Sequence, residues 1–171
     1  MREGPLPRFK LVTPVPALRL SGTVTLPGEN VDVGGWLGSQ GHNWGKEHAV
    51  DYAWGQCFFP GEGGNPDTFV EGSAARLVVG GRTTPEMAAL VVRRGDEELH
   101  FDRLRDALNH SSSSSRERWA FRIQGEAGEA RLRLDATGRP MVCLAYPNPT
   151  GRISYCFNSK LAEVLLEVNT L

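Results

Sequence analysis

Cysteine is scarce in this 171-residue chain: Cys57, Cys143 and Cys156 are odd in number, widely spaced and form no CxxC pair. That pattern argues against a disulfide framework or a zinc site and predicts three reduced thiols. Basic clusters are also missing. Lys and Arg total 19 against 20 Asp and Glu, for a formal net charge of −1, and they are scattered along the chain. Nucleic acid is therefore not an expected partner, because phosphate binding needs a concentrated basic surface. No apolar run approaches the ~18 residues that a membrane-spanning helix requires. The opening Met1-Arg2-Glu3-Gly4-Pro5-Leu6-Pro7 has no hydrophobic segment of the signal-peptide kind. The expectations are no membrane span and a cytoplasmic location.

What is present points to one globular domain, with 40% hydrophobic and 23% charged residues. Residues 1–16 carry Pro5, Pro7, Pro14 and Pro16 and read as an extended lead-in or linker, leaving 17–171 as the domain. From Leu18 onward nearly everything has period two. Leu18 to Leu26, Thr68 to Val79, Met87 to Arg93, Arg116 to Gln124, Ala130 to Asp135, Met141 to Tyr146, Arg152 to Asn158 and Ala162 to Val168 alternate like half-buried strands. The connections are turn-rich, as at Pro27-Gly28, Gly80-Gly81, Gly95-Asp96, Thr137-Gly138 and Pro147-Asn148-Pro149. Asp102 to Leu108 reads as a short helix, and Ser111 to Ser115 as a flexible loop. The pattern predicts an all-β, antiparallel barrel or strongly curved sheet, with a curved β-sandwich as the alternative.

The densest chemistry lies in Gly35-Trp36-Leu37-Gly38-Ser39-Gln40-Gly41-His42-Asn43-Trp44-Gly45-Lys46-Glu47-His48. If this stretch is extended, Trp36, Gln40, His42 and Trp44 share a face. Tyr52, Trp54, Gln56 and Phe58 share the next, and Phe69, Glu71 and Ser73 the one after. Pairing the three segments as neighbours predicts an aromatic wall with convergent polar groups, suited to a mostly hydrophobic small molecule. The opposite facing would leave Trp and Phe in water and bury Arg76. Glu71, a carboxyl among rings, is the candidate proton carrier, and His42 is its candidate orienting partner. Trp44, Tyr52 and Trp54 are placed to face a developing carbocation, an attraction of ~0.5–2 kcal/mol per ring. Glu47, His48 and Asp51 resemble a metal-ligand set, but they fall in a turn and their spacing gives no mechanical argument for a site, so no metal is expected.

Gln40-Gly41-His42-Asn43-Trp44-Gly45, with Tyr52-Ala53-Trp54-Gly55 and Tyr155-Cys156-Phe157-Asn158-Ser159 near the carboxyl end, resembles the lipocalin-like group of carotenoid hydratases (hydroxyneurosporene synthases) and tocopherol cyclases. The resemblance implies a lipocalin-like barrel and protonation of an isoprenoid double bond without a cofactor, the cation being captured by water or a phenol. His42 and Trp44 fall on the group's signature, and Glu71 lies where a downstream acid would serve. Members of the group usually contain two lipocalin-like halves, and this chain covers about one, matching the second. The resemblance therefore implies association with a second lipocalin-like half or a copy of itself, and an isolated chain that is inactive; the alternatives are a non-catalytic binding module for an apolar small molecule or a structural half-domain of a larger protein.

Overall fold

The computed structural model describes residues 9–45, 48–61 and 66–170. In chain order the elements are β1 (Phe9–Arg19), β2 (Thr23–Leu26), β3 (Glu29–Asp32), β4 (Leu37–Gly45), β5 (Asp51–Pro60), β6 (Pro66–Arg76), β7 (Val78–Val79), β8 (Arg82–Thr83), β9 (Met87–Arg94) and β10 (Glu97–Phe101). A single turn and a half of helix, α1 (Leu104–Leu108), separates these from β11 (His110–Ser114), β12 (Arg118–Gly125), β13 (Gly128–Asp135), β14 (Val142–Pro147), β15 (Ile153–Asn158) and β16 (Glu163–Asn169). The chain is all-β, 68% strand and 3% helix, and every ladder is antiparallel.

Two four-stranded sheets, ordered β10-β9-β6-β5 and β11-β12-β13-β16, carry the core between them. Alternation assigns the inward side chains. From the first sheet come Val70 and Ala74, Ala88, Leu90 and Val92, and Phe101; from the second come Trp119, Phe121, Ile123, Ala130 and Leu132. Each fully buried Leu, Ile or Phe among them contributes about 1.5–3 kcal/mol relative to an exposed one. Trp119 stacks on Phe121 with ring centroids 4.7 Å apart. The division of labour is uneven: β5 and β6 offer mostly small residues, and β12 and β13 fill the space with large ones. A Cβ on Gly72 would stand 3.0 Å from both Leu132 Cδ2 and Phe121 Cζ. Glycine here lets the sheets approach.

The remaining strands form two-stranded ladders, β1-β4, β2-β3, β7-β8 and β14-β15. No ring of strands closes among the described pairings. Several local expectations change. Residues 9–16 are not a lead-in but most of β1, paired with β4. The register jumps between Val12 and Val15 and again between Val15 and Leu18, at Pro14 and Pro16, which have no N–H to give the ladder. Residues 1–8 of the expected linker lie outside the described residues. The serine run is an edge strand, β11, held by pairing to β12 from His110↔Ile123 to Ser114↔Trp119. Strand β10 had no separate signal, because Glu97-Glu98-Leu99-His100 is too polar to stand out.

Candidate functional site

The face of β5 and β6 turned away from the core carries the predicted aromatic and acidic residues. Gln56 lies directly opposite Glu71, Trp54 opposite Ser73 and Phe58 opposite Phe69. The Trp54 indole N–H donates to Glu71 Oε1 at 2.9 Å, one diagonal step across the ladder. Phe58 and Phe69 meet with centroids 5.4 Å apart, and Phe69 is 4% exposed. Trp54, Gln56, Phe58 and Glu71 are only half-buried. The structure thus brings Trp54, Gln56, Phe69 and Glu71 onto one surface.

It does not make that surface the main core. The opposite facing, which puts Ala53, Gly55 and Cys57 inward, is the one adopted. The objection to it was the burial of Arg76, but Arg76 ends β6 in the open, with Nε donating to Asp51 Oδ1 at 3.0 Å. Burial pushes the inward Cys57 thiol pKa up.

The wall predicted from β4 also divides. Strand β4 pairs with β1 and not with β5. Its contact with the aromatic face is Ser39, whose hydroxyl accepts from Gln56 Nε2 at 2.8 Å. Alternation then puts Gln40, His42 and Trp44 on the side of β4 opposite Ser39. There His42 stacks on Trp44, centroids 5.0 Å apart and planes 19° from parallel, and both are exposed. Trp36, just before β4, is 54% exposed. His42 and Trp44 are therefore a pair with each other, on a different surface from Glu71. The expected convergence of this face on β5 is not adopted, because nothing in the sequence marks Ser39 as the residue that faces Gln56.

At the other end of β5 stands the carboxy-terminal ribbon β14-β15. Asn148, 8% exposed in its turn, accepts from the His48 backbone N–H through Oδ1 at 2.9 Å. Its Nδ2 donates to Arg152 O and Ser154 Oγ, each at 3.0 Å. The His48 ring lies 5.2 Å from that of Tyr146. Tyr52 meets Cys156: partial burial first, then a hydrogen bond with the Cys156 thiol, raises the phenol's pKa well above its ordinary value. Of the metal-like trio, Asp51 is engaged by Arg76 and His48 by the ribbon, while Glu47 lies outside the described residues. Sequence reasoning missed Ser39, Tyr146, Asn148 and Cys156. The carboxy-terminal Tyr-Cys-Phe-Asn-Ser run was the available signal, since its cysteine is the one that reaches Tyr52.

No family model, no curated protein and no solved structure matches this chain. No helix among the described residues is long and apolar enough to cross a membrane.

Proposed function

We propose that the chain is an apolar-ligand half of the carotenoid-hydratase and tocopherol-cyclase type, which receives an isoprenoid-like molecule on its aromatic face. The observation that carries this reading is the aromatic strip of Tyr52, Trp54, Phe58 and Phe69 along β5 and β6, in which the Trp54 indole N–H, 2.9 Å from Oε1, fixes the position of Glu71. In its protonated form Glu71 gives its proton to one carbon of a C=C bond. The π pair becomes the new C–H bond, and the cation left on the neighbouring carbon lies against ring faces. Water or a phenol oxygen then adds to that carbon, and the proton it sheds returns to the Glu71 carboxylate. No cofactor enters the step.

The lipocalin-like barrel belongs to the same proposal, the stacked sheets being a flattened barrel completed by a second half or a second copy. What supports it is exposed apolar surface on the ribbon: Tyr155 is 67% and Ile153 50% exposed. A cytoplasmic setting goes with it. A non-catalytic binding module is the second reading, favoured by the separation of His42 from Glu71. Glu71→Gln, which keeps the shape and removes the acid, distinguishes the two when assayed with a prenylated phenol or polyene. Turnover lost with binding kept supports the enzyme. Binding kept with no turnover in the parent, alone or with its other half, supports the module, and absence of binding in the parent contradicts both.

A further inference from the structure

Strand β14 is one edge of the β14-β15 ribbon and is exposed from Val142 to Ala145. In the turn that joins the two strands, the Asn148 N–H donates to Arg152 O at 2.7 Å. An antiparallel ladder alternates from there. Tyr146, Leu144 and Val142 turn their N–H and C=O groups toward β15, and Cys143 and Ala145 turn theirs to the open side. Those edge groups have no backbone partner among the described residues. Pro147 shares their parity and has no N–H to offer, which is the place proline takes on an edge. Exposed edges are usually blunted by charge, by proline or by a bulge. Edge strands β10 and β16 follow that rule with Glu97 and Glu98, and with Glu163 and Glu167. Strand β14 does not. No charged residue lies between Arg139 and Arg152, its proline stands at its end, and its register with β15 is unbroken.

We propose that β14 pairs antiparallel with β14 of a second copy of this chain, about a two-fold axis at Leu144, to make a four-stranded sheet β15-β14-β14-β15. This rests on the association proposed above, of which it selects the second copy, and it needs nothing of the ligand chemistry. Register decides the partner. With Leu144 opposite Leu144, each Cys143 falls opposite Ala145 of the second copy, and each such pair exchanges two backbone hydrogen bonds through the groups left bare. Leu144 and its counterpart form the intervening pair without hydrogen bonds, where side chains come closest. Val142 falls opposite Tyr146 of the second copy on the same face. Val142 is 56% and Leu144 40% exposed, so apolar surface meets apolar surface. On the other face only Cys143 and Ala145 meet, and both are small. No charge faces its like, whereas β16 paired with itself about Leu165 would set Glu163 against Glu167. A ribbon of two strands is marginal alone, and the two added strands stabilise it.

The test is sedimentation velocity on the full chain from about 1 to 500 µM, a range chosen because small interfaces are weak. Wild type shifts from monomer to dimer across it. Leu144→Lys and Leu144→Glu, each checked for folding by circular dichroism, raise the dissociation constant at least about tenfold, since each sets like charges face to face across the axis. An equimolar mixture of the two variants restores the dimer, because the axis at residue 144 then sets opposite charges together. A wild type that stays monomeric throughout overturns the pairing whether or not the variants fold. Single variants that dimerise as well as wild type, or a mixture no more associated than either variant alone, overturn it too. Tryptophan quenching by a prenylated phenol, followed in the same samples, tests the ligand reading apart from it. A dimer without quenching supports the pairing and counts against the ligand, and a quenched monomer does the reverse.

Discussion

Single residues decide how closely the sheets stack and how the chain answers acid. Gly72 sits where any side chain would press on Phe121 and Leu132, both nearly fully buried. Gly72→Ala is expected to lower stability by about 1–3 kcal/mol, the range for overfilling a packed core, read as a lower urea midpoint at unchanged slope. Asp135 shows the electrostatic counterpart. The Thr137 hydroxyl and its N–H, the latter 2.9 Å from Oδ1, hold the carboxyl pKa at about 2, with Arg118 adding to the effect. A carboxyl held lower in the folded chain than in the unfolded one stabilises above the unfolded value of about 4 and loses that contribution as pH falls below it. Wild type should therefore exceed Asp135→Asn in urea midpoint at pH 6, and the gap should shrink as pH falls from about 4 toward 2. A gap that stays constant across the range would mean that the aspartate contributes through shape and not through charge.

At the scale of elements, the alternation in the sequence was enough to place β5, β6, β9, β12, β13 and β16, because a strand with one buried face must repeat every two residues. It was not enough to choose the buried face of β5. There large aromatics competed with Ala53 and Gly55, and the aromatics already supplied by β12 took the core. Register between distant segments was equally hidden. That β4 joins β1, and that β14-β15 stands as a separate ribbon, depends on long-range pairing that leaves no local trace. An isolated two-stranded ribbon is marginal in water, and this one leans on Asn148, which ties its turn to His48. Asn148→Ala should cost about 1–3 kcal/mol for the buried groups left unpaired. The loss should appear as faster amide exchange in β14 and β15, with β6, β9, β12 and β13 protected as before. Uniform loss across all strands would show the ribbon to be part of one cooperative unit with the sheets.

For the whole molecule, the two surfaces of the first sheet do different things. The inner one is filled and structural, small along β5 and β6 and larger at Leu90, Val92 and Phe101, and the outer one is aromatic and polar at Trp54, Gln56 and Glu71. The sequence made the composition of the outer surface legible, down to the residue that carries the proton in our reading. It did not reveal that the strand of His42 and Trp44 would join β1 and leave their stacked rings away from Glu71. Trp119 is packed in the core, whereas Trp36 and Trp44 are exposed away from this face, so the part of the signal that belongs to Trp54 is read as the difference between wild type and Trp54→Phe. The decisive measurement is therefore tryptophan fluorescence during titration with a prenylated phenol, in wild type and in Trp54→Phe. If the outer face receives an apolar ligand, wild type shows saturable quenching and Trp54→Phe loses most of it while remaining folded. Quenching that is absent in wild type, or equal in the two proteins, would contradict the assignment of that face as the binding surface.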